Sequence, residues 1–147
     1  MNRRDFLAAS SAAALPAAMP IPIIDTHIHL FDPRRPEGIP WPPKENTLIY
    51  KPALPERYRA LTKSLGIVGA IEVECSPWLE DNQWVLDVAA KDTIIVGAIG
   101  NLEPGKPNFG KQLDRFTANQ LFRGIRYGYL WDRNLREQLR VPAFVDD

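Results

Sequence analysis

Apolar positions in this chain fall into four short runs, and the segments between the later runs have helical spacing. The first run, Ile21 to Ile24, is β-branched and passes into Asp25-Thr26-His27-Ile28-His29-Leu30. It reads as a buried strand running into a polar end. Ile67 to Cys75 and Thr93 to Ile99 are the second and third runs, and Phe122 to Tyr127 is a shorter fourth that also ends polar. Pro55 opens a helix over Glu56 to Leu65, with Tyr58, Leu61 and Leu65 on one face and Gly66 as its cap. A second helix spans Trp78 to Ala90 and packs through Trp84, Val85, Leu86, Val88 and Ala89; a third spans Phe109 to Asn119 and carries Leu113 and Phe116. Residues 128–140 read as loop with a helical turn. Residues 31–55 hold seven of the fourteen prolines, with Trp41 between Pro40 and Pro42, so they form neither helix nor central strand. A loop of that length inside a compact domain is usually functional.

Strand and helix alternate, which predicts βαβ repetition, a parallel sheet and an α/β fold. Strands that are apolar throughout require helices over the sheet. A doubly wound sheet and a barrel both fit this rhythm. No Gly-x-Gly-x-x-Gly follows the first strand, so a dinucleotide site has no support. Polar residues instead gather where strands end: Asp25, His27 and His29; Glu72 and Glu74; Asn101 and Glu103; Arg123 and Arg126. Barrels of (β/α) type keep their chemistry there.

Composition narrows the function classes. The chain has 147 residues, the size of one domain, with 18 basic and 18 acidic residues. A net charge of zero leaves no field to attract nucleic acid or an anionic membrane. A single cysteine, Cys75, excludes an intramolecular disulfide and a cysteine-based zinc finger. With no further histidine to serve it as a base, Cys75 reads as a buried thiol and not as a nucleophile. Arg3-Arg4 ahead of an Ala-rich stretch to about Ala18 has the layout of a twin-arginine export leader over residues 1–20, leaving 21–147 as the folded part. That predicts a periplasmic or extracellular protein. The stretch is too short and Ala-rich to span a bilayer.

The sharpest chemical feature is Asp25-x-His27-x-His29. Residues two apart on a strand share a face, so both imidazoles can aim at one divalent metal. Asp25 shares that face and is placed to orient a histidine or meet a second metal. The plain alternative is a structural histidine pair. Glu72 and Glu74 share a face by the same period; Glu74, at the strand end, is the better site residue, and Glu72 reads as a polar partner in the barrel's interior layer. Arg123 and Arg126 differ by three and face opposite sides; Arg126 lies nearer the C-terminal end and is favoured for the pocket, and a salt bridge to a helix is the competing role for each. Trp41 and Tyr50 either line the pocket or anchor the loop.

The hexapeptide Asp25 to Leu30 after an apolar strand resembles the first-strand signature of the amidohydrolase superfamily. Pro40-Trp41-Pro42, Val73-Glu74, Glu80-Asp81-Asn82-Gln83-Trp84 and Arg123-Gly124-Ile125-Arg126-Tyr127 are similar to its amidohydrolase-related branch, which holds 2-pyrone-4,6-dicarboxylate lactonase-like and sugar-lactonase-like hydrolases. The likeness covers about residues 22–127. His-x-His alone is less specific, since TatD-type nucleases and PHP phosphoesterases open similarly. The resemblance implies a (β/α)₈ barrel, of which this chain holds about the first four βα units. It implies a hydrolase of a lactone or related carbonyl, either dependent on a metal, zinc first, or metal-independent. A bound metal would lower the pKa of water from ~16 to about 7. His27 and His29 would be ligands, and Arg126 or Arg123, with Glu74, would bind a small substrate such as a carboxylated lactone.

The pattern also predicts incompleteness. Barrels of this kind take further ligands from later strands and need ~250 residues, whereas this chain carries two histidines and four strands. The expectation is therefore the N-terminal half of a longer protein, inactive alone and with its catalytic base unidentified. An inactive relic, a half-barrel binding module, or a TatD- or PHP-like phosphoesterase are the competing readings.

Overall fold

A computed structural model describes residues 21–128 and 130–147. The leader read over residues 1–20 lies outside the described residues. Strands β1 (Ile23–Ile28), β2 (Ile67–Val73), β3 (Ile95–Gly100) and β4 (Phe122–Ile125) form one parallel sheet in the order β1-β2-β3-β4. Helices α1 (Pro55–Thr62), α2 (Leu79–Ala89) and α3 (Phe109–Thr117) make the crossovers. A 3₁₀ turn (Leu130–Asp132) and two short helices, α4 (Leu135–Gln138) and α5 (Pro142–Asp146), follow β4. Spatial order follows chain order, with no reversal of the kind that makes a doubly wound sheet. Four sequential parallel βα units are consistent with part of a (β/α)₈ barrel.

One face of the sheet packs against the helices. Ala70 meets Ala89 of α2 together with Ile28, Leu30, Ile94 and Ile95. Ala98 and Phe122 meet Val85 and Leu86 of α2 and Phe109 and Phe116 of α3. Phe116 is fully buried and its ring stacks on Phe122, with centroids 5.6 Å apart; burying such a side chain stabilises by about 1.5–3 kcal/mol. Small side chains at the strand positions let the helices approach. At Gly100 the approach is absolute, because a Cβ there would collide with the Phe122 ring and the Asn82 side-chain oxygen.

Three expectations change. The apolar run entering β1 is not buried: Ile23 is 47% and Ile24 44% exposed, because among the described residues β1 pairs only with β2. Burial begins at Ile28 and Leu30. Helix α1 ends at Thr62, and the chain turns through a Leu65 N–H to Thr62 oxygen bond of 2.9 Å before Gly66, at φ +69°, redirects it into β2. Leu65 falls outside the helix, Leu61 within it is exposed as well, and of the expected face only Tyr58 packs against the core. Glu72 points to the helices and not into a barrel interior. It pairs with Ala98 across the sheet and lines a cavity with Asn82, Trp84 and Val85 of α2.

Candidate functional site

Each strand hands one polar residue to the same end of the sheet. His29, Glu74, Asn101 and Arg126 are the first residues past β1, β2, β3 and β4. The ladder continues through two of them: the Glu74 N–H donates to the Ile99 oxygen at 2.8 Å, and the Arg126 N–H donates to the Gly100 oxygen at 2.9 Å. Their side chains leave rigid backbone, which holds a site more sharply than a free loop. His29, Glu74 and Arg126 line a cleft of about 490 Å³ together with Trp41, Cys75, Trp131 and Asp132.

His29 is held in one tautomer. Its Nδ1 lies 2.7 Å from the Val73 carbonyl oxygen. A carbonyl only accepts, so Nδ1 carries the proton and Nε2 keeps a free lone pair. Burial lowers the His29 pKa; the charges of His27 and Arg126 add to that, and the bond to Val73 opposes it. The imidazole is thus kept neutral. The His27 ring lies 5.1 Å from the His29 ring, edge to face, but His27 is exposed and does not line the cleft.

Glu74 is buried yet tied at both oxygens. Trp131 Nε1 donates to Oε2 at 3.1 Å, the Ser76 N–H donates to the same oxygen at 3.1 Å, and Arg126 Nε lies 3.4 Å from Oε1. Burial raises the Glu74 pKa, and the Trp131 bond and the Arg126 charge offset part of that rise. Its neighbour Cys75 is partly buried, and burial pushes its thiol pKa far up, consistent with an inert thiol.

Loop 31–55 closes one side. Its base is a two-residue antiparallel bridge between Phe31 and Ala53. Arg35 crosses to α2, bonds Asp81 at 2.6 Å and stacks 4.7 Å over the Trp84 ring. Trp41, preceding a cis bond to Pro42, packs edge-on against His29 and Phe31, each at 5.5 Å. Trp41 therefore both anchors the loop and lines the cleft, whereas Tyr50 does not line it.

Asp25 does not reach an imidazole. Its carboxylate accepts the Tyr58 hydroxyl at 2.9 Å and the His27 backbone N–H at 3.1 Å, so it ties β1 to α1. Burial, then Asp25, raises the Tyr58 pKa to about 12. Arg123 also stays outside the cleft; its Cγ lies where a Cβ on Gly97 would point, on β3. Trp131 and Asp132 escape periodicity arguments. Both adopt positive φ, 62° and 59°, a region costly for residues with a Cβ, and this backbone turns the Trp131 indole onto Glu74. A tryptophan set among polar residues is the available sequence signal. Asn101 and Asn82 exchange a pair of bonds, 2.8 and 2.9 Å, that fasten β3 to α2. Arg133 bonds both Asn101 and Glu103.

The metal that the first-strand pattern implies finds only part of its site. The two imidazoles offer two donors. Among the described residues no group of three or more His, Cys, Asp or Glu is placed to hold a metal ion.

The amidohydrolase family model matches residues 24–139. The chain belongs to the amidohydrolase family. It is 26% identical over 103 residues to an L-fucono-1,5-lactonase of Burkholderia ambifaria. That match takes in 70% of this chain and 35% of the lactonase, so the chain spans about a third of the curated relative. Two crystal structures of an amidohydrolase from Burkholderia multivorans, one with bound zinc and one with bound HEPES, share the fold at a TM-score of 0.66 and 21% identity. Each comparison covers 86% of this chain and 42% of the solved one. No helix among the described residues is long and apolar enough to cross a membrane.

Proposed function

We propose that this amidohydrolase chain supplies the substrate-binding half of a site that hydrolyses a lactone, with a sugar lactone or a carboxylated lactone as the substrate class. The observation that carries this is the cleft itself, in which a neutral imidazole with a bare Nε2 faces an Arg126–Glu74 pair. The likeness to a lactonase supports the substrate class.

The residues divide the work as follows. Arg126 binds a substrate carboxylate or ring hydroxyl through its guanidinium, and Glu74, pinned by Trp131, holds that guanidinium in place. His29 Nε2 accepts a proton from the attacking water as its oxygen bonds to the lactone carbonyl carbon. The ring C–O bond then breaks, and the returning proton leaves on the freed hydroxyl. Trp41 packs edge-on against His29 and keeps water from that side of the ring. Were a metal held there, His29 Nε2 and a His27 ring nitrogen would be two of its ligands and the ion would polarise the carbonyl; His29 would then be a ligand and not the base, and the proton would be taken by another group. Arg123 is assigned no role.

The same reading takes residues 1–20 as an export leader and 21–147 as the barrel portion, which places the protein outside the cytoplasm. Replacing Arg3 and Arg4 with Lys in its own host would trap the protein inside; unchanged export would refute that part. The activity is tested on the whole polypeptide that carries these residues, with sugar 1,5-lactones and carboxylated lactones followed by acid release. Turnover that His29→Ala abolishes supports the assignment. Turnover of model phosphodiesters without lactones moves the protein to phosphoester chemistry. No turnover, with substrate still bound, makes it a binding module.

A further inference from the structure

A second, smaller cavity lies between loop 31–55, β2 and α2. Trp41, Glu74 and Cys75 line both this cavity and the cleft, so they form the wall between the two. The cavity offers about 20 Å³ to water. One water molecule needs roughly 10–15 Å³, so the space admits a water and excludes anything as large as a lactone.

Glu72 lines this cavity at 1% exposure, and its Oε1 has no hydrogen-bond partner among the described residues. A buried carboxyl oxygen left unpaired is costly, and buried polar atoms are met by protein groups or by ordered water. Most polar side chains on the wall are already engaged. The Asn82 amide donates to the Leu79 and Asn101 carbonyls at 3.0 and 2.9 Å, and its oxygen accepts the Asn101 N–H at 2.8 Å. The Cys75 thiol donates to the Leu30 oxygen. Ser76 is the exception. It is 7% exposed, its Oγ accepts the Trp78 N–H at 3.1 Å, and its hydroxyl proton has no acceptor among the described residues.

Charge decides between a water and a cation. The other two acids on the wall have arginine partners, Asp81 with Arg35 at 2.6 Å and Glu74 with Arg126 at 3.4 Å. Glu72 is the acid left over, and burial favours its protonated form. A neutral carboxyl group offers both a donor and an acceptor, which a water matches and a cation does not.

We propose that this cavity is a binding site for one internal water, held between Glu72 Oε1 and the Ser76 hydroxyl. The water supplies the partner that the protein itself does not give Glu72. Ser76 also donates its backbone N–H to Glu74 Oε2 at 3.1 Å, so the residue that holds the water also fixes the carboxylate beside Arg126. The site stands apart from the lactonase reading, in which neither Glu72 nor Ser76 touches substrate. A failed lactonase assay would leave it standing.

Two measurements on the purified protein test the site. A high-resolution crystal structure should show a solvent peak within hydrogen-bond reach of both Glu72 Oε1 and Ser76 Oγ. Oxygen-17 relaxation dispersion, which counts long-lived waters in solution, should fall by one water in Glu72→Met. Glu72→Gln keeps a donor and an acceptor and should retain the wild-type amplitude. Ser76→Ala removes the second partner, leaves the backbone bond to Glu74 in place and should lose the same water; it decides the matter if Glu72→Met does not fold. An empty cavity, or a protein group bonded to Oε1, would overturn the proposal. So would an anomalous signal at the peak after exchange into rubidium, which would make it a cation site. Wild-type dispersion in Glu72→Met or Ser76→Ala would overturn it as well.

Discussion

Two adjacent acids at the start of α2 make ion pairs of nearly equal length and should have very different consequences when removed. Asp81 accepts Arg35 at 2.6 Å, with 11% and 15% of the two side chains exposed. Glu80 accepts Arg115 at 2.7 Å, with 69% and 38% exposed. Truncating one partner of a buried pair leaves the other charge desolvated, at a cost of about 3–5 kcal/mol. The residual exposure of Arg35 places Asp81→Ala near the lower end, about 3 kcal/mol. Whole-domain stabilities are about 5–15 kcal/mol, so the loss is a large share. For a chain of this size it corresponds to a fall in unfolding midpoint of roughly 10 °C. The exposed pair is screened by solvent, so Glu80→Ala should leave the midpoint within measurement error. Arg35→Met with Asp81→Leu should recover most of the loss, because methionine still packs on Trp84. Thermal and urea unfolding of the four proteins, followed by circular dichroism, is the assay. Equal effects of Asp81→Ala and Glu80→Ala would refute the reasoning from burial. So would a double variant no better than the single one.

Four further outcomes are expected. Arg126→Met should raise KM for a carboxylated lactone at least tenfold, with a smaller effect on an uncharged lactone; equal effects on both, in parallel steady-state assays, would remove Arg126 from substrate recognition. Trp131→Phe removes the indole donor to Glu74 and should lower kcat/KM several-fold without changing the unfolding midpoint by more than a few degrees; an unchanged kcat/KM would contradict the pinning role. Burial, then the neighbouring Glu74 charge, raises the Glu72 pKa well above 4.5, so the protonated acid is the form the fold prefers. Its stabilising contribution is full below that ordinary value and is lost as pH rises toward the folded value; Glu72→Gln should therefore gain on wild type as pH rises above 4.5 in urea titrations at each pH, and parallel curves would refute the sign. Cys75 should resist a disulfide-exchange reagent at pH 8 in the folded protein and react fully in denaturant; rapid reaction of the native protein would contradict its burial.

The sequence makes the strand ends legible because the rule that exposes them is local. Each strand has a last residue, and His29, Glu74 and Arg126 each stand just beyond one. The choice of Arg126 over Arg123 follows from the same position. Helix α2 is legible through the spacing of Val85, Leu86 and Ala89. What sequence pattern misses is set by the neighbours of each element. Ile23 and Ile24 look like core residues, and only the strand order shows that among the described residues β1 pairs with β2 alone. Glu72 shares a strand face with Glu74, but whether that face meets helices or the sheet's other side depends on which crossovers cover it. Asp25 sits beside two histidines in sequence, yet a tyrosine 33 positions away takes its carboxylate. Trp131 reaches Glu74 through two left-handed residues that no periodicity predicts.

The most direct test is lactone hydrolysis by the whole polypeptide purified from its own host, measured for wild type and for His29→Ala and Arg126→Met. Turnover of a sugar or carboxylated lactone, abolished by His29→Ala and shifted in KM by Arg126→Met, is the expected result. Undiminished turnover in His29→Ala, or hydrolysis of phosphodiesters in place of lactones, would contradict the assignment of this cleft.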